Sequence, residues 1–157
     1  MNKENTQKMF DDFPELYRGH ESNCMHWGFA IGDGWFQLIY QLSAAIVAHA
    51  DKAGVHKYDE GFPQVTQVKE KFGGLRFSVR YYRPEEVVQM ISEAEDLADR
   101  ICMNCGCMDD TVMLRSNGWQ FNFCLKCATE HHPEALPVKE YYERRNEFVA
   151  KKQREDD

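Results

Sequence analysis

The chain has 157 residues, a length that suits one compact domain with room for a small appended module. It is 43% hydrophobic and 13% aromatic, which excludes an intrinsically disordered protein. The formal net charge of −7 excludes a uniformly basic nucleic-acid coat but leaves room for a local basic face. No apolar run approaches the roughly 20 residues that cross a bilayer, and the polar N-terminus lacks the apolar core of a secretory signal. We therefore expect a cytoplasmic protein with no membrane partner.

Hydrophobic periodicity predicts the elements of the first hundred residues. Apolar and polar residues alternate over residues 25–31, which is typical of a half-buried strand. Helical spacing follows over residues 35–53, and residues 64–82 are predicted to form two strands joined by a turn at Gly73-Gly74. Pro84 opens a second long helix with an apolar stripe that ends near Ile101.

Four cysteines follow in the pattern C-x2-C-x18-C-x2-C, which is typical of a zinc ribbon or treble clef. They are Cys102, Cys105, Cys124 and Cys127. Four thiolates leave no position for a water molecule, so one structural zinc per chain is favoured over a catalytic zinc. Four other cysteine or histidine residues could also supply metal ligands, and their roles stay open. For these residues we favour packing or a solvent-exposed position over metal binding. These are Cys24, Cys107, His131 and His132.

The sequence thus predicts an α+β fold in the order β-α-β-β-α. A small, largely antiparallel sheet would have both long helices on one face and cations on the other. Residues 1–101 would form this core domain with its basic hairpin, and residues 102–132 a zinc-binding module. Residues 133–157 would form a charged C-terminal helix and tail.

The predicted hairpin segregates positive charge. Residues 61–83 carry a net charge of +4, so the rest of the chain carries −11. A Gly73-Gly74 turn places Lys71 opposite Arg76, and like charges in that position cost stability unless an anion lies between them. The anion could be the chain's own carboxylates on the second long helix or the phosphate of a ligand, and both alternatives stay open.

The predicted ligand-binding residues share that hairpin or lie close to it. They are Lys69, Lys71, Arg76, Arg80, Tyr82, Glu70 and Trp35. Arginine suits bidentate contact with phosphate, and Tyr82, with Trp35 or Trp27, could offer a ring to a base. The predicted register buries Glu70 among apolar residues, so its carboxylate would orient a ligand, exchange protons, form an internal salt bridge or reach solvent at a strand end. Asp33, between Gly32 and Gly34, is predicted to cap the following helix.

Three motifs together resemble a family of uncharacterised small phage and prophage proteins. They are GDGW at residues 32–35, QVKEKFGGLRF at residues 67–77, and the two C-x2-C pairs. The resemblance implies a phage context, in which accessory proteins often block a host defence system.

The sequence leaves four candidate functions. The favoured one is a phage-type accessory protein that counteracts host defence by binding, without catalysis, a phosphate-bearing, nucleotide-like molecule on the basic hairpin. The alternative is an acidic inhibitor of a host protein or a nucleic-acid mimic, as the net charge of −7 suggests. A nucleic-acid-binding zinc protein is disfavoured because the cysteine-rich segment is not basic. An enzyme is disfavoured because no recognisable catalytic spacing can be assembled, and a homo-oligomer is allowed.

Overall fold

The computed structural model of the chain describes residues 1–155, with side chains up to residue 153. The described residues form a mixed α+β fold of helices and short antiparallel strands. The helices are α1 (Lys3–Asp12), α2 (Phe36–Lys52), α3 (Glu85–Ala98), α4 (Leu125–His131) and α5 (Val138–Glu155). The strands are β1 (Gln64–Lys71), β2 (Gly74–Arg80), β3 (Met113–Ser116), β4 (Gln120–Phe123) and β5 (Leu136–Pro137). Short 3-10 turns cover His20–Ser22, Cys24–Trp27 and Asp33–Trp35. The last two residues of the predicted tail, 156 and 157, lie outside the described residues.

The two long helices of the core are confirmed. Helix α2 packs against α3, and α3 packs against β2. Their apolar stripes bury Ile39, Ile46 and Val87 against the inner face of the hairpin, where Val68 and Leu75 are also buried. The main core therefore lies between these helices and one face of β1 and β2.

The predicted first strand is wrong. The Asn23 side chain accepts a hydrogen bond from the backbone N–H of Met25 at 2.7 Å and begins a 3-10 turn instead. Gly28 then takes a φ of 75°, which an extended strand does not allow. What remains of the strand is one parallel bridge between Ala30 and Lys69 at the edge of β1. The sheet β1-β2 therefore has two strands, and β4-β3-β5 form a separate antiparallel sheet.

The hairpin turn lies one residue earlier than predicted. Phe72 and Gly73 have φ values of 56° and 82°, the two positive values of a type I′ turn. Lys69 is consequently opposite Arg76, and Lys71 is opposite Gly74. The predicted pairing of Lys71 with Arg76 is wrong. The partner of Arg76 changes by two residues, from Lys71 to Lys69, so Lys69, Lys71 and Arg76 stay on the same face of the hairpin. An irregularity between Val65 and Gln67 changes the register once more near the open end.

A second, smaller core surrounds the four cysteines. Its buried members are Cys102, Phe121, Phe123, Cys124, Cys127 and Ala128. Six residues of this kind bury far less apolar surface than the main core, so the segment depends on contacts beyond its own packing.

Two glycines let the first cysteine pair pack directly on the start of α2. A Cβ at Gly32 would lie 2.1 Å from the backbone oxygen of Met103, and one at Gly34 would lie 2.1 Å from that of Cys102. The backbone N–H of Gly34 donates to the Met103 oxygen at 2.9 Å. The GDGW motif is therefore a packing device that joins the main core to the cysteine-rich segment.

The predicted capping role of Asp33 is wrong. Trp35 is the N-cap of α2 and makes no side-chain cap, whereas Asp33 accepts hydrogen bonds from the Asn2 backbone and the Asn5 side chain. Burial alone would raise the pKa of Asp33, but hydrogen bonds from Asn2 and Asn5 together with the N-terminal ammonium outweigh it and lower that pKa. Asp33 thus fixes α1 beside the glycine contact.

A buried asparagine forms the second link between the two cores. The Asn122 side chain donates to the backbone oxygens of Ala98 and Asp99 at 3.1 and 2.5 Å. Its own backbone oxygen accepts from Met103 at 2.9 Å. Asn122 therefore satisfies the C-terminal carbonyls of α3 and holds β4 beside the first cysteine pair.

Replacing Gly34 by alanine should separate these two parts of the molecule. Because the new Cβ would meet backbone atoms, which cannot rotate away, we expect Gly34→Ala to lower the free energy of unfolding by about 1–3 kcal/mol. Urea unfolding of the metal-loaded protein measures this change. Gly61→Ala is the control, since nothing lies within 4 Å of its Cβ position. Equal stability of the two variants would contradict the packing role.

Candidate functional site

The sulfur atoms of Cys102, Cys105, Cys124 and Cys127 all lie within 4.8 Å of one another. The Cys105 and Cys124 sulfurs are 3.8 Å apart, and all four cysteines are free of disulfides. A tetrahedral ion with metal–sulfur bonds of about 2.3 Å needs sulfurs about 3.8 Å apart, nearly twice a disulfide bond length. The cluster therefore fits a metal site, as the cysteine spacing predicts.

The first cysteine pair lies on a tight turn. The Gly106 backbone N–H donates to the Cys102 oxygen at 2.9 Å, and the Cys102 N–H donates to the Cys107 oxygen at 2.8 Å. Gly106 has a φ of 78°, a value that favours glycine. This turn aims the Cys102 and Cys105 thiols toward the same point.

The second pair lies at the start of α4. Cys124 is the N-cap of α4, and its sulfur accepts a hydrogen bond from the Cys127 N–H at 3.4 Å. The Asn104 side chain donates to the Cys127 sulfur at 3.3 Å. These donors would stabilise negative charge on the two sulfurs, as metal-bound thiolates require.

Burial opposes ionisation of the thiols. It raises the pKa of Cys102 and raises that of Cys127 to about 12. Burial alone would also raise the pKa of Cys105, but hydrogen bonds from Cys107 and the neighbouring thiols outweigh it and lower that pKa to about 7. At neutral pH a metal ion must therefore displace protons from at least Cys102 and Cys127.

The other metal-ligand candidates lie outside the four-sulfur cluster. The Cys107 thiol donates to an Asp109 carboxylate oxygen at 3.4 Å, and Cys24 is exposed on a 3-10 turn. His131 contacts the Asn104 side chain at 3.2 Å. His132 packs its ring 4.5 Å from that of Phe121. None of these four residues belongs to the cluster that the described residues form.

The four cations of the basic face have three different surroundings. Arg76 turns toward the acidic helix α3 and forms an ion pair with Glu95 at 3.8 Å. Arg80 donates to the Gln64 side chain at 3.0 Å and lies 5.3 Å from the Tyr81 ring centre. For Arg76, a carboxylate of the chain itself is therefore the anion that the clustered positive charges predict.

Arg76 lines a cleft of about 480 Å³ that acidic residues share. Glu95, Asp96 and Asp99 lie across from it, and Glu95 also accepts from the Phe77 backbone N–H at 2.9 Å. Burial and the neighbouring Asp96 raise the pKa of Asp99, while Arg76 opposes that change. This cleft therefore holds more carboxylates than cations, since Glu95, Asp96 and Asp99 outnumber Arg76 and Lys71.

Lys69 faces a different cleft, of about 470 Å³, and Lys71 lies between the two clefts and lines both. The cleft lies between the hairpin and the turn that joins β3 to β4. Its lining is Lys69, Glu70, Lys71, Phe72, Gly118, Trp119, Gln120 and Tyr142. Within the part of the chain with described side chains, neither lysine forms an ion pair.

Three predicted site residues are placed differently from their predicted roles. Trp35 is fully buried, and its indole N–H donates to the Ile101 oxygen at 3.0 Å, so its ring offers no surface to a ligand. Tyr82 packs against the main core, with its hydroxyl 3.1 Å from the Nδ1 atom of His49. Glu70 is only half-buried, and its carboxylate accepts from the Gly73 N–H at 2.5 Å, which stabilises the hairpin turn.

Two aromatic residues of the lysine cleft were not predicted from the sequence. Phe72 is 70% exposed because it occupies the turn, and Trp119 is 82% exposed because it follows Gly118 in the β3–β4 turn. Gly73 follows Phe72 and Gly118 precedes Trp119, and a glycine in such a position is typical of a turn. A turn position would have indicated that both rings are exposed.

Comparison of the chain with protein-family models, curated proteins and solved structures gave no match. Among the described helices, none combines the length and apolar character that crossing a membrane would require.

Metal affinity should increase steeply with pH. Because at least two thiol protons leave on binding, we expect the affinity constant to rise about a hundredfold or more per pH unit between pH 6 and 8. Competition with a chromophoric chelator at several pH values measures this slope. An affinity that does not change with pH would contradict a four-thiolate site.

Proposed function

We propose that this chain is a non-enzymatic binding protein that holds a phosphate-bearing small molecule on its hairpin, with a structural zinc ion supporting the site. The observation that carries the proposal is the pair of lysines, Lys69 and Lys71, which share an open cleft without a carboxylate ion-pair partner among the described side chains. Cations in such a cleft attract anions, and they bind phosphate oxygens through charge-assisted hydrogen bonds.

Zinc is the metal that four thiolates in a tetrahedral cluster favour. All four positions would be filled by cysteine, so the ion would clamp the chain and activate no water molecule. The order of the segments is a turn with two cysteines, the β3–β4 hairpin, and a helix that begins at the second pair. This order supports the treble-clef alternative over the zinc ribbon.

The residues of the lysine cleft suit binding better than catalysis. They supply two cations, three aromatic rings and an amide, while the Glu70 carboxylate is engaged by the Gly73 N–H. A general acid or base needs a free group aimed at the reacting atom. The cleft therefore supports a ligand that is captured unchanged.

The biological setting within this proposal comes from the sequence resemblance to phage proteins. A phage accessory protein that captures a nucleotide-like signal would counteract a host defence system by lowering the concentration of that signal. The role as an acidic inhibitor of a host protein is the alternative, since the residues outside segment 61–83 carry a net charge of −11.

Charge reversal at the two lysines tests the binding function. We expect the wild-type protein to bind pyrophosphate in isothermal titration calorimetry and the double variant Lys69→Glu/Lys71→Glu to lose at least tenfold in affinity. The matched control, Lys3→Glu/Lys52→Glu, changes the net charge equally at exposed helical lysines away from the cleft.

The comparison of the two double variants decides the proposal. Wild-type affinity in the hairpin variant would contradict it. Equal losses in both variants would also contradict it, because they would show a response to total charge only. Circular dichroism and metal content confirm that each variant keeps its fold.

A further inference from the structure

The lysine cleft carries two exposed aromatic rings, one on each side. Trp119 is 82% exposed and Phe72 is 70% exposed, and both line the same cavity as Lys69 and Lys71. Large aromatic side chains mostly lie at least partly buried, so two exposed rings beside two cations form an unusual surface.

Trp119 is held on a well-fixed backbone. Its N–H donates to the Asn117 side chain at 3.3 Å, and its oxygen accepts from the Asn117 N–H at 3.3 Å. The Gly118 N–H donates to the Ser116 hydroxyl at 3.1 Å. Because the backbone of this turn is already ordered, a ligand that packs against the ring need not order the turn, which favours binding.

The opposite wall is equally fixed. Phe72 occupies the hairpin turn, where the Glu70 carboxylate holds the Gly73 N–H at 2.5 Å. The Lys71 ammonium lies 5.4 Å from the centre of the Phe72 ring, and both residues line the cavity. Gln120 donates to the Tyr142 hydroxyl at 3.0 Å and closes the floor between β4 and α5.

We infer that this cleft binds a free nucleotide, with its base stacked on Trp119 and its phosphates held by Lys69 and Lys71. The inference rests on the proposed function, since it assumes that the lysines bind phosphate, and it adds the chemical class of the ligand. Aromatic rings stack on the face of any unpaired base, and a cavity of about 470 Å³ lies within the usual size range for small-molecule sites.

Charge favours a free nucleotide over a nucleic-acid strand. The residues outside segment 61–83 carry a net charge of −11, and these charges would repel the phosphates of a long strand beyond the cleft. A mononucleotide presents its phosphates only to the two lysines.

The ligand would bridge the two cores of the protein. Trp119 belongs to the turn that the metal-binding segment carries, whereas the lysines belong to the main hairpin. Gly73 permits this approach, because a Cβ there would lie 2.0 Å from the Leu114 Cδ1 atom of β3. Displacing β3 and β4 would therefore remove the base-binding wall and leave the phosphate-binding wall in place.

Calorimetric titration of the metal-loaded protein with ATP and with pyrophosphate tests this inference. We expect Trp119→Ala to weaken ATP binding about tenfold and to leave pyrophosphate binding unchanged, because stacking involves only the base. Trp119→Phe should restore most of the ATP affinity. Trp27→Ala is the matched control, since Trp27 is 87% exposed and lies outside the cleft.

The outcomes separate this inference from the proposed function. If Trp119→Ala binds ATP like the wild type while Lys69→Glu/Lys71→Glu does not, the base site is wrong and the phosphate site stands. If the wild type binds pyrophosphate but no ATP, the nucleotide inference is wrong and the phosphate site stands. If neither variant changes ATP binding, or if the wild type binds neither ligand, both are wrong. An eight-residue oligonucleotide that binds more tightly than ATP, with strong salt dependence, would overturn the choice of a free nucleotide.

Discussion

The convergence of four cysteine sulfurs is the constraint on which the rest of the structure depends. Two segments separated by eighteen residues must bring these thiols within 4.8 Å of one another, and among the described residues the buried cluster around them adds only Phe121, Phe123 and Ala128. Burial keeps the Cys102 and Cys127 thiols protonated at neutral pH, so the cluster is complete only when a cation replaces those protons. Bonds to a metal ion would supply the stability that so small a core lacks. They would also fix the position of the turn that carries Trp119.

The cysteine-rich segment is joined to the main core by close backbone contacts that leave no room for added side-chain atoms. Gly32 and Gly34 let the first cysteine turn approach α2, and Asn122 holds the end of α3 against β4. These contacts bring the β3–β4 turn beside the hairpin tip. The cleft between them contains charge from one core and an exposed indole ring from the other. Within the proposed function, ligand binding therefore depends on both the metal ion and the packing between the cores.

Cysteine spacing and apolar periodicity were predictive, whereas turn positions, local caps and distant contacts were not. The cysteine spacing predicted the sulfur cluster, and apolar periodicity predicted α2 and α3. The hairpin register differs by one residue on each strand, because Phe72 takes a positive φ in the turn, a conformation that turn preferences assign to glycine. Alternation over residues 25–31 predicted a strand, but the Asn23 cap and the backbone of Gly28 prevent it. The residues of the basic face were predictable from the sequence. That Glu95 pairs with Arg76 and leaves the lysines without an ion pair among the described side chains depends on where α3 packs, which the sequence did not predict.

Hydrogen exchange of the zinc-loaded and the chelator-treated protein tests the metal clamp most directly. We predict that chelation removes amide protection from residues 102–131 and from the hairpin tip at residues 71–74, while α2 and the inner strand positions keep theirs. Such a pattern would show that the metal holds the cysteine-rich segment against the main core. Unchanged protection in residues 102–131 after complete metal removal would contradict the central role of the cluster.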